Sequence, residues 1–348
     1  MPARMTFGLR WRARPVAPHR GRQWRALARA VAAGLGLACS ALAPATPLAA
    51  SDAAQLGALD CAAVSAGDVR EVLSRHPAPR VIALQGSVPI VTMEPFAEFL
   101  VGMGYPDERV RDPVDGRRSY SSFVDSRRVV GEVAWHYEQD GVMPILIGHS
   151  QGGMIVIKVL HDLAGNGGAA IPVWGPGRPE PEPRTVIVDP RDGAERPVVG
   201  LKLDFAAALA TGSLPRLLLG QWGILPLLRE VPDSVAEFTG FAIPWDPIAG
   251  TGPEPSGFRA TGSARVRNVV LPGDYSHIGL PAVAHLAAQP ETRAWIDAWR
   301  PGSATPLPRG VDVGNLLHAA DLWYSLKRHW CLGAKALAGA AGQQGSRR

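Results

Sequence analysis

Along this chain, short apolar runs alternate with longer stretches in which apolar positions recur every three to four residues. That is the pattern of buried strands separated by amphipathic helices. Residues 80–84, 143–147 and 266–271 read as strands, and 241–246 as a strand ending in a carboxylate. Helices are predicted over 68–74 and over 94–101, the second with Pro95 in its first turn and Phe96, Phe99 and Leu100 on one face. Others are predicted over 122–138, with Phe123, Val130, Val133 and Trp135 inward, from Gln151, near Pro281, and over 313–331. The alternation predicts an α/β fold, a mostly parallel central sheet flanked by helices, and such sheets bind ligands beyond the carboxyl ends of their strands. Residues 164–197 interrupt it with Gly, Pro and charge, and read as a surface hairpin turning at Asp189-Pro190-Arg191-Asp192-Gly193. Residues 205–240 include a leucine-rich run broken by glycines and prolines, which predicts short helical pieces rather than a membrane span. The Ala-, Gly- and Gln-rich end, 333–348, reads as a flexible tail.

One stretch carries chemistry as well as structure. Residues 143–153 read Met-Pro-Ile-Leu-Ile-Gly-His-Ser-Gln-Gly-Gly, an apolar strand that passes through Ser150 into a helix. Glycines two residues either side of the serine remove side chains that collide in so tight a turn. The helix behind it aims its free N–H groups and positive dipole end at the same spot, which suits a developing oxyanion. With strand and helix in place, Gly148-His149-Ser150-Gln151-Gly152-Gly153 resembles the nucleophile elbow of the α/β-hydrolase superfamily, in particular of secreted bacterial lipases and esterases.

The resemblance covers about residues 80–300 and implies an α/β-hydrolase fold with a helical, cap-like insertion over 205–240, for which buried packing helices are the alternative, and with partners in the order Ser, acid, His, each just past a strand. Ser150, Asp246 and His277 fit that order. A serine hydroxyl needs a neutral imidazole to take its proton, and the imidazole needs a carboxylate to fix its tautomer. Among nine histidines, His277 alone follows a late strand in a Gly-Asp-X-Ser-His setting. Asp204, at the end of a strand read over 196–203, and Asp274, close to His277 along the chain, are the competing acids. A turn-capping carboxylate is the bland alternative for Asp246. After strand 80–84, Gln85-Gly86-Ser87-Val88-Pro89 stands where the resembled enzymes carry a His-Gly pair, with Gln85 in place of the histidine. By resemblance the oxyanion hole is the backbone N–H of Gln151 with that of Ser87. The expected activity is a serine hydrolase cleaving carboxylic esters. The same triad also serves acyltransferases, thioesterases and amidases, and a non-catalytic binding protein on this fold is the alternative that Gln85 keeps open.

Composition changes the picture mainly at the ends. The net charge of +5 comes from eight arginines within residues 1–50, where no acidic residue occurs; the remainder holds 28 basic against 31 acidic residues, a balance of −3. No nucleic-acid surface is therefore expected. The arginine-rich start, the uncharged stretch 30–50 and the small residues at Leu48-Ala49-Ala50-Ser51 read as a secretion signal over 1–50. Export to periplasm or medium follows, with a signal anchor or a lipoprotein attached through Cys39 as alternatives. Residues 51–332 then suffice for one domain. Cys61 and Cys331 remain, one near each end, and an oxidising compartment favours a bridge between them. By loop closure that bridge contributes about 4 to 5 kcal/mol. No clustered Cys/His pattern implies a metal or cofactor. The expected partner is a small-molecule or lipid ester, with peripheral lipid contact through the leucine-rich run.

Overall fold

In the computed structural model, which describes residues 47–212 and 225–346, the apolar runs lie side by side as one sheet. Helices α1 (Pro47–Ala58) and α2 (Ala66–Glu71) precede strand β1 (Val81–Leu84). Helices α3 (Glu94–Gly102) and α4 (Ser126–Asp140) lead to β2 (Ile145–His149), and α5 (Gln151–Leu163) follows at once. A hairpin of β3 (Val186–Val188) and β4 (Glu195–Pro197) comes next. Then come β5 (Leu203–Leu209), β6 (Glu230–Val231), β7 (Val235–Ala242), β8 (Arg259–Ala260) and β9 (Arg265–Val270). Helices α6 (Ala284–Ala288), α7 (Pro290–Ala298) and α8 (Leu316–Ser346) complete the order.

The main sheet runs β1-β2-β5-β7-β9, and every neighbouring pair is parallel. Spatial order equals chain order, so each crossover steps the same way and all five carboxyl ends share one edge. β1 and β2 are buried along their whole length, which is why they are apolar at consecutive positions. Val81, Ala83, Ile145 and Ile147 face a core shared with Phe96, Phe99, Trp323 and Leu326. Ile82, Leu84 and Leu146 face the opposite core with Val130, Val133, Ile155 and Val159. Helices α3 and α8 thus cover one face and α4 and α5 the other, each fully buried large side chain contributing about 1.5 to 3 kcal/mol.

The structure departs from the sequence reading at four places. Residues 205–240 are not one cap-like insertion: 205–209 belong to β5 and 235–240 to β7, both inside the sheet. The leucine-rich part at 213–224 lies outside the described residues. Ala206, Ala207 and Ala208 favour a helix intrinsically, but they pair with β2 and β7, Ala206 and Ala208 face the side of the sheet that α5 covers, and packing overrides propensity. Helix α4 starts at Ser126, where Asp125 caps it by accepting from the Arg127 N–H at 3.0 Å; Phe123 precedes it and is 69% exposed rather than inward. The expected flexible tail 333–348 is helical through Ser346, continuing α8. Ala334 is buried there, and Lys335 donates to the Gly57 and Leu59 carbonyls. The expected secretion signal, 1–50, lies outside the described residues except for 47–50, which open α1. Among the described residues no helix is long and apolar enough to cross a membrane.

Cys61 and Cys331 form a disulfide with Cα atoms 5.4 Å apart, tying the segment after α1 to the buried face of α8. The bridge spans 270 residues of chain, so in the chain-entropy description it constrains the unfolded state strongly. Replacing both cysteines by serine should lower the thermal unfolding midpoint by roughly 5 to 10 °C without changing the circular dichroism at 20 °C. An unchanged midpoint would mean that the bridge contributes nothing.

Candidate active site

Strand β2 ends at His149 and α5 begins at Gln151, so Ser150 alone turns the chain between them. Its φ is 52°, in the left-handed half of conformational space, a strain of about 1 to 3 kcal/mol for a non-glycine residue. Two hydrogen bonds from the strand next door hold it there. The Ser150 N–H donates to the Leu209 carbonyl at 2.8 Å, and Thr211 Oγ1 donates to the Ser150 carbonyl at 3.1 Å. The flanking glycines are required by close approach: a Cβ on Gly152 would lie 2.1 Å from the Leu84 carbonyl oxygen, and one on Gly148 would lie 2.3 Å from the Gly152 carbonyl. Ser150 is 7% exposed, at the carboxyl edge of the sheet.

Asp246 and His277 reach the same edge from the loops after β7 and β9. His277 Nδ1 donates to Asp246 Oδ2 at 2.6 Å, since an ionised carboxylate only accepts. Asp246 Oδ1 meanwhile accepts the backbone N–H groups of Ile248 at 2.9 Å and Ala249 at 3.0 Å. One oxygen caps the turn and the other holds the imidazole, so the bland and the functional roles coexist in one side chain. Burial alone would raise the Asp246 carboxyl. The His277 hydrogen bond and the two backbone donors outweigh it and hold the group below the ordinary carboxylate range.

Of the three candidate acids, Asp246 is the one hydrogen-bonded to His277. Asp204 is the second residue of β5, at the amino edge of the sheet, where it shares a cavity with Arg191, Glu237 and His329. It was placed at a strand's end because the strand beginning there was read as part of the insertion. Asp274 is exposed on the His277 loop.

Ser150 and His277 line a common cavity of about 40 Å³ with Ser87, Val88, Ile248 and Ile278. The loop after β1 that supplies Ser87 is tied to residues 119–122. The Gln85 N–H donates to the Tyr120 carbonyl at 3.0 Å, and Ser122 Oγ donates to the Gly86 carbonyl at 3.1 Å. Ser119 Oγ donates to Gln85 Oε1 at 2.8 Å while accepting the Met93 N–H at 2.8 Å. Gln85 thus fixes both ends of its loop through Ser119. The backbone N–H of Gln151 is the first of α5 and has no intrahelical partner, while its side chain donates to the Ser122 carbonyl at 3.3 Å. Ser119 and Ser122 were missed in the sequence; the Ser119-Tyr120-Ser121-Ser122 run is the only signal they leave.

His149 was also passed over as an elbow residue. It is 1% exposed, and its Nε2 lies 2.9 Å from the His277 carbonyl oxygen. Burial, then the neighbouring His277, bring its imidazole down from 6.5 to about 4. Among the described residues no group of three or more His, Cys, Asp and Glu side chains is arranged to hold a metal ion. Comparison of the chain with protein-family models and with curated proteins gives no match.

Two expectations follow from this packing. Gly152→Ala should destabilise the protein by about 3 kcal/mol, read as a lowered urea midpoint, because its Cβ meets backbone rather than a movable side chain. The second concerns acid. Burial depresses three imidazoles below 6.5: His149 and His318 to about 4, and His136 to about 3. The unfolded chain therefore binds up to three more protons as the pH drops from 6.5 towards 4. Stability should fall over that window by up to roughly 4 kcal/mol per pH unit. Unfolding midpoints flat between pH 6.5 and 4.5 would contradict it.

Proposed function

We propose that the chain is an exported serine hydrolase of the α/β-hydrolase fold that cleaves carboxylic esters. The observation that carries this is the meeting of a strained serine turn with a buried, carboxylate-bound histidine on one small cavity. Ser150 Oγ attacks the ester carbonyl, and His277 takes its proton and then delivers it to the leaving alkoxide. Asp246 keeps the Nδ1 proton in place, which leaves Nε2 as the base, and stabilises the imidazolium. The oxyanion is received by the Gln151 N–H, at the positive end of α5, and by the Ser87 N–H. Water then attacks the acyl-enzyme with His277 again as base, returning the free serine and a carboxylic acid. No metal or cofactor enters this chemistry. The disulfide supports export, since such bridges persist in oxidising compartments.

The rim of the cavity supports an apolar substrate. Val88 and Ile90 follow β1, Phe123 precedes α4, Trp245 and Ile248 follow β7, and Ile278 follows β9. All are exposed, Ile90 to 90% and Trp245 to 71%. Scattered apolar residues need no explanation, but Val88, Ile248 and Ile278 line one opening together.

The test is hydrolysis of p-nitrophenyl esters of increasing acyl length by the chain lacking residues 1–50. Ser150→Ala should lose at least about 10⁴-fold in kcat, and Asp246→Asn about 10³- to 10⁴-fold, with unchanged circular dichroism. Val88→Ser combined with Ile248→Ser should reduce kcat/KM for long-chain esters by about 10-fold and leave short-chain esters unaffected. A fully active, folded Ser150→Ala protein would sink the mechanism. Equal losses on short and long esters would remove the rim from substrate binding.

A further inference from the structure

The loop that carries His277 is held by side chains from elsewhere in the fold. Its residues alternate in burial, with Ser276 and Ile278 exposed and His277 8% exposed between them. Three external donors take its carbonyls. His149 Nε2 lies 2.9 Å from the carbonyl of His277, Asn315 Nδ2 lies 2.8 Å from that of Gly279, and His318 Nε2 lies 2.9 Å from that of Leu280. Asn315 and His318 belong to the C-terminal segment that leads into and forms α8. His149 belongs to β2 and is the residue next to Ser150. It is the one of the three that joins the histidine loop directly to the serine.

A carbonyl oxygen only accepts, so the His149 proton resides on Nε2 and is donated to His277. Its ring lies 5.1 Å from the His277 ring, tilted by 55°. On the other side Nδ1 is buried without a partner, and a Cβ on Gly86 would approach it to 3.3 Å. One imidazole is therefore bounded by the end of β2, the loop of the proposed oxyanion hole and the loop of the proposed base. The charged and titratable groups facing it are His277, His318 and Asp246. With its own imidazole brought down by burial to about 4, His149 is a neutral donor at pH 7.

We propose that His149 is a positioning residue: by donating from Nε2 to the His277 carbonyl, it sets the height of the His277 imidazole against Ser150 Oγ. The assignment rests on the hydrolase function proposed above. Its role is geometric, because His149 exchanges no proton with substrate. Displacing a base by about 1 Å costs on the order of 100-fold in rate, so a link of this kind reads out in kcat rather than in KM.

The test compares two substitutions of similar volume in the otherwise intact chain. His149→Gln retains an N–H donor at about the same reach, and His149→Met fills the space without one. The expected result is a kcat within about 3-fold of the wild type for Gln and lowered about 10- to 100-fold for Met. KM on a short-chain ester should stay within about 2-fold, and the thermal midpoints of the two variants should match. A second readout does not need turnover: the downfield Nδ1 proton of the His277–Asp246 pair, followed by NMR, should remain sharp in Gln and broaden in Met. Equal kcat in both variants, whether retained or lost, overturns the proposal, the second case leaving His149 as packing alone. A sharp proton in Met overturns it as well. If the wild type shows no Ser150-dependent turnover, the hydrolase function fails, while the proton signal still decides whether His149 holds His277 in place.

Discussion

The close approach of α5 to β1 and β2 is the constraint on which the rest of the site depends. Gly152 lies so near the Leu84 carbonyl that no side chain fits, and Gly148 lies as near the carbonyl of Gly152. With those contacts closed, the chain has one residue in which to reverse from strand to helix, and Ser150 takes a positive φ to do so. The strain, about 1 to 3 kcal/mol, is opposed by the burial of Ile145, Ile147, Ile155 and Val159 on either side of the sheet. The same geometry brings a helix amino terminus and a serine hydroxyl to one point. Strain and electrostatics here have a single structural cause.

The parallel sheet then determines what this point meets. Since β1, β2, β5, β7 and β9 are neighbours in chain order, loops separated by more than a hundred residues emerge along one edge. Asp246 and His277 come from the two strands beyond β5, and Ser87 from the strand on the other side of β2. Side chains from 119–122 and from the segment around Asn315 and His318 then fix those loops in register. Backbone carbonyls of Gly86, His277, Gly279 and Leu280 are each taken by a side-chain donor, so the loops are held by directional bonds as well as by packing.

Local pattern made part of this legible. The elbow is local in sequence, with an apolar strand, two obligatory glycines and a helix within eleven residues, so Ser150 could be read directly. His277 was legible because a strand and a distinctive loop precede it. Asp246 was legible only as the leading candidate, and the hydrogen bond to His277 across 31 residues of chain separates it from Asp204 and Asp274. Strand β5 is hidden in the sequence in part because Ala206–Ala208 prefer a helix in isolation, and only pairing with β2 and β7 makes these small residues suitable in a sheet. His149 was missed for a related reason. Its contact lies 128 residues away, and nothing in the pentapeptide distinguishes an anchoring imidazole from an incidental one.

The most direct measurement is covalent labelling of the chain, without residues 1–50, by a fluorophosphonate, followed by mass spectrometry of its peptides. Turnover assays depend on choosing an ester that fits, whereas this reagent asks only for a serine that is accessible, deprotonated on attack and supported by an oxyanion hole. The account predicts a single stoichiometric adduct on Ser150, abolished by His277→Ala. No adduct on the folded protein, or an adduct at another residue, would contradict it.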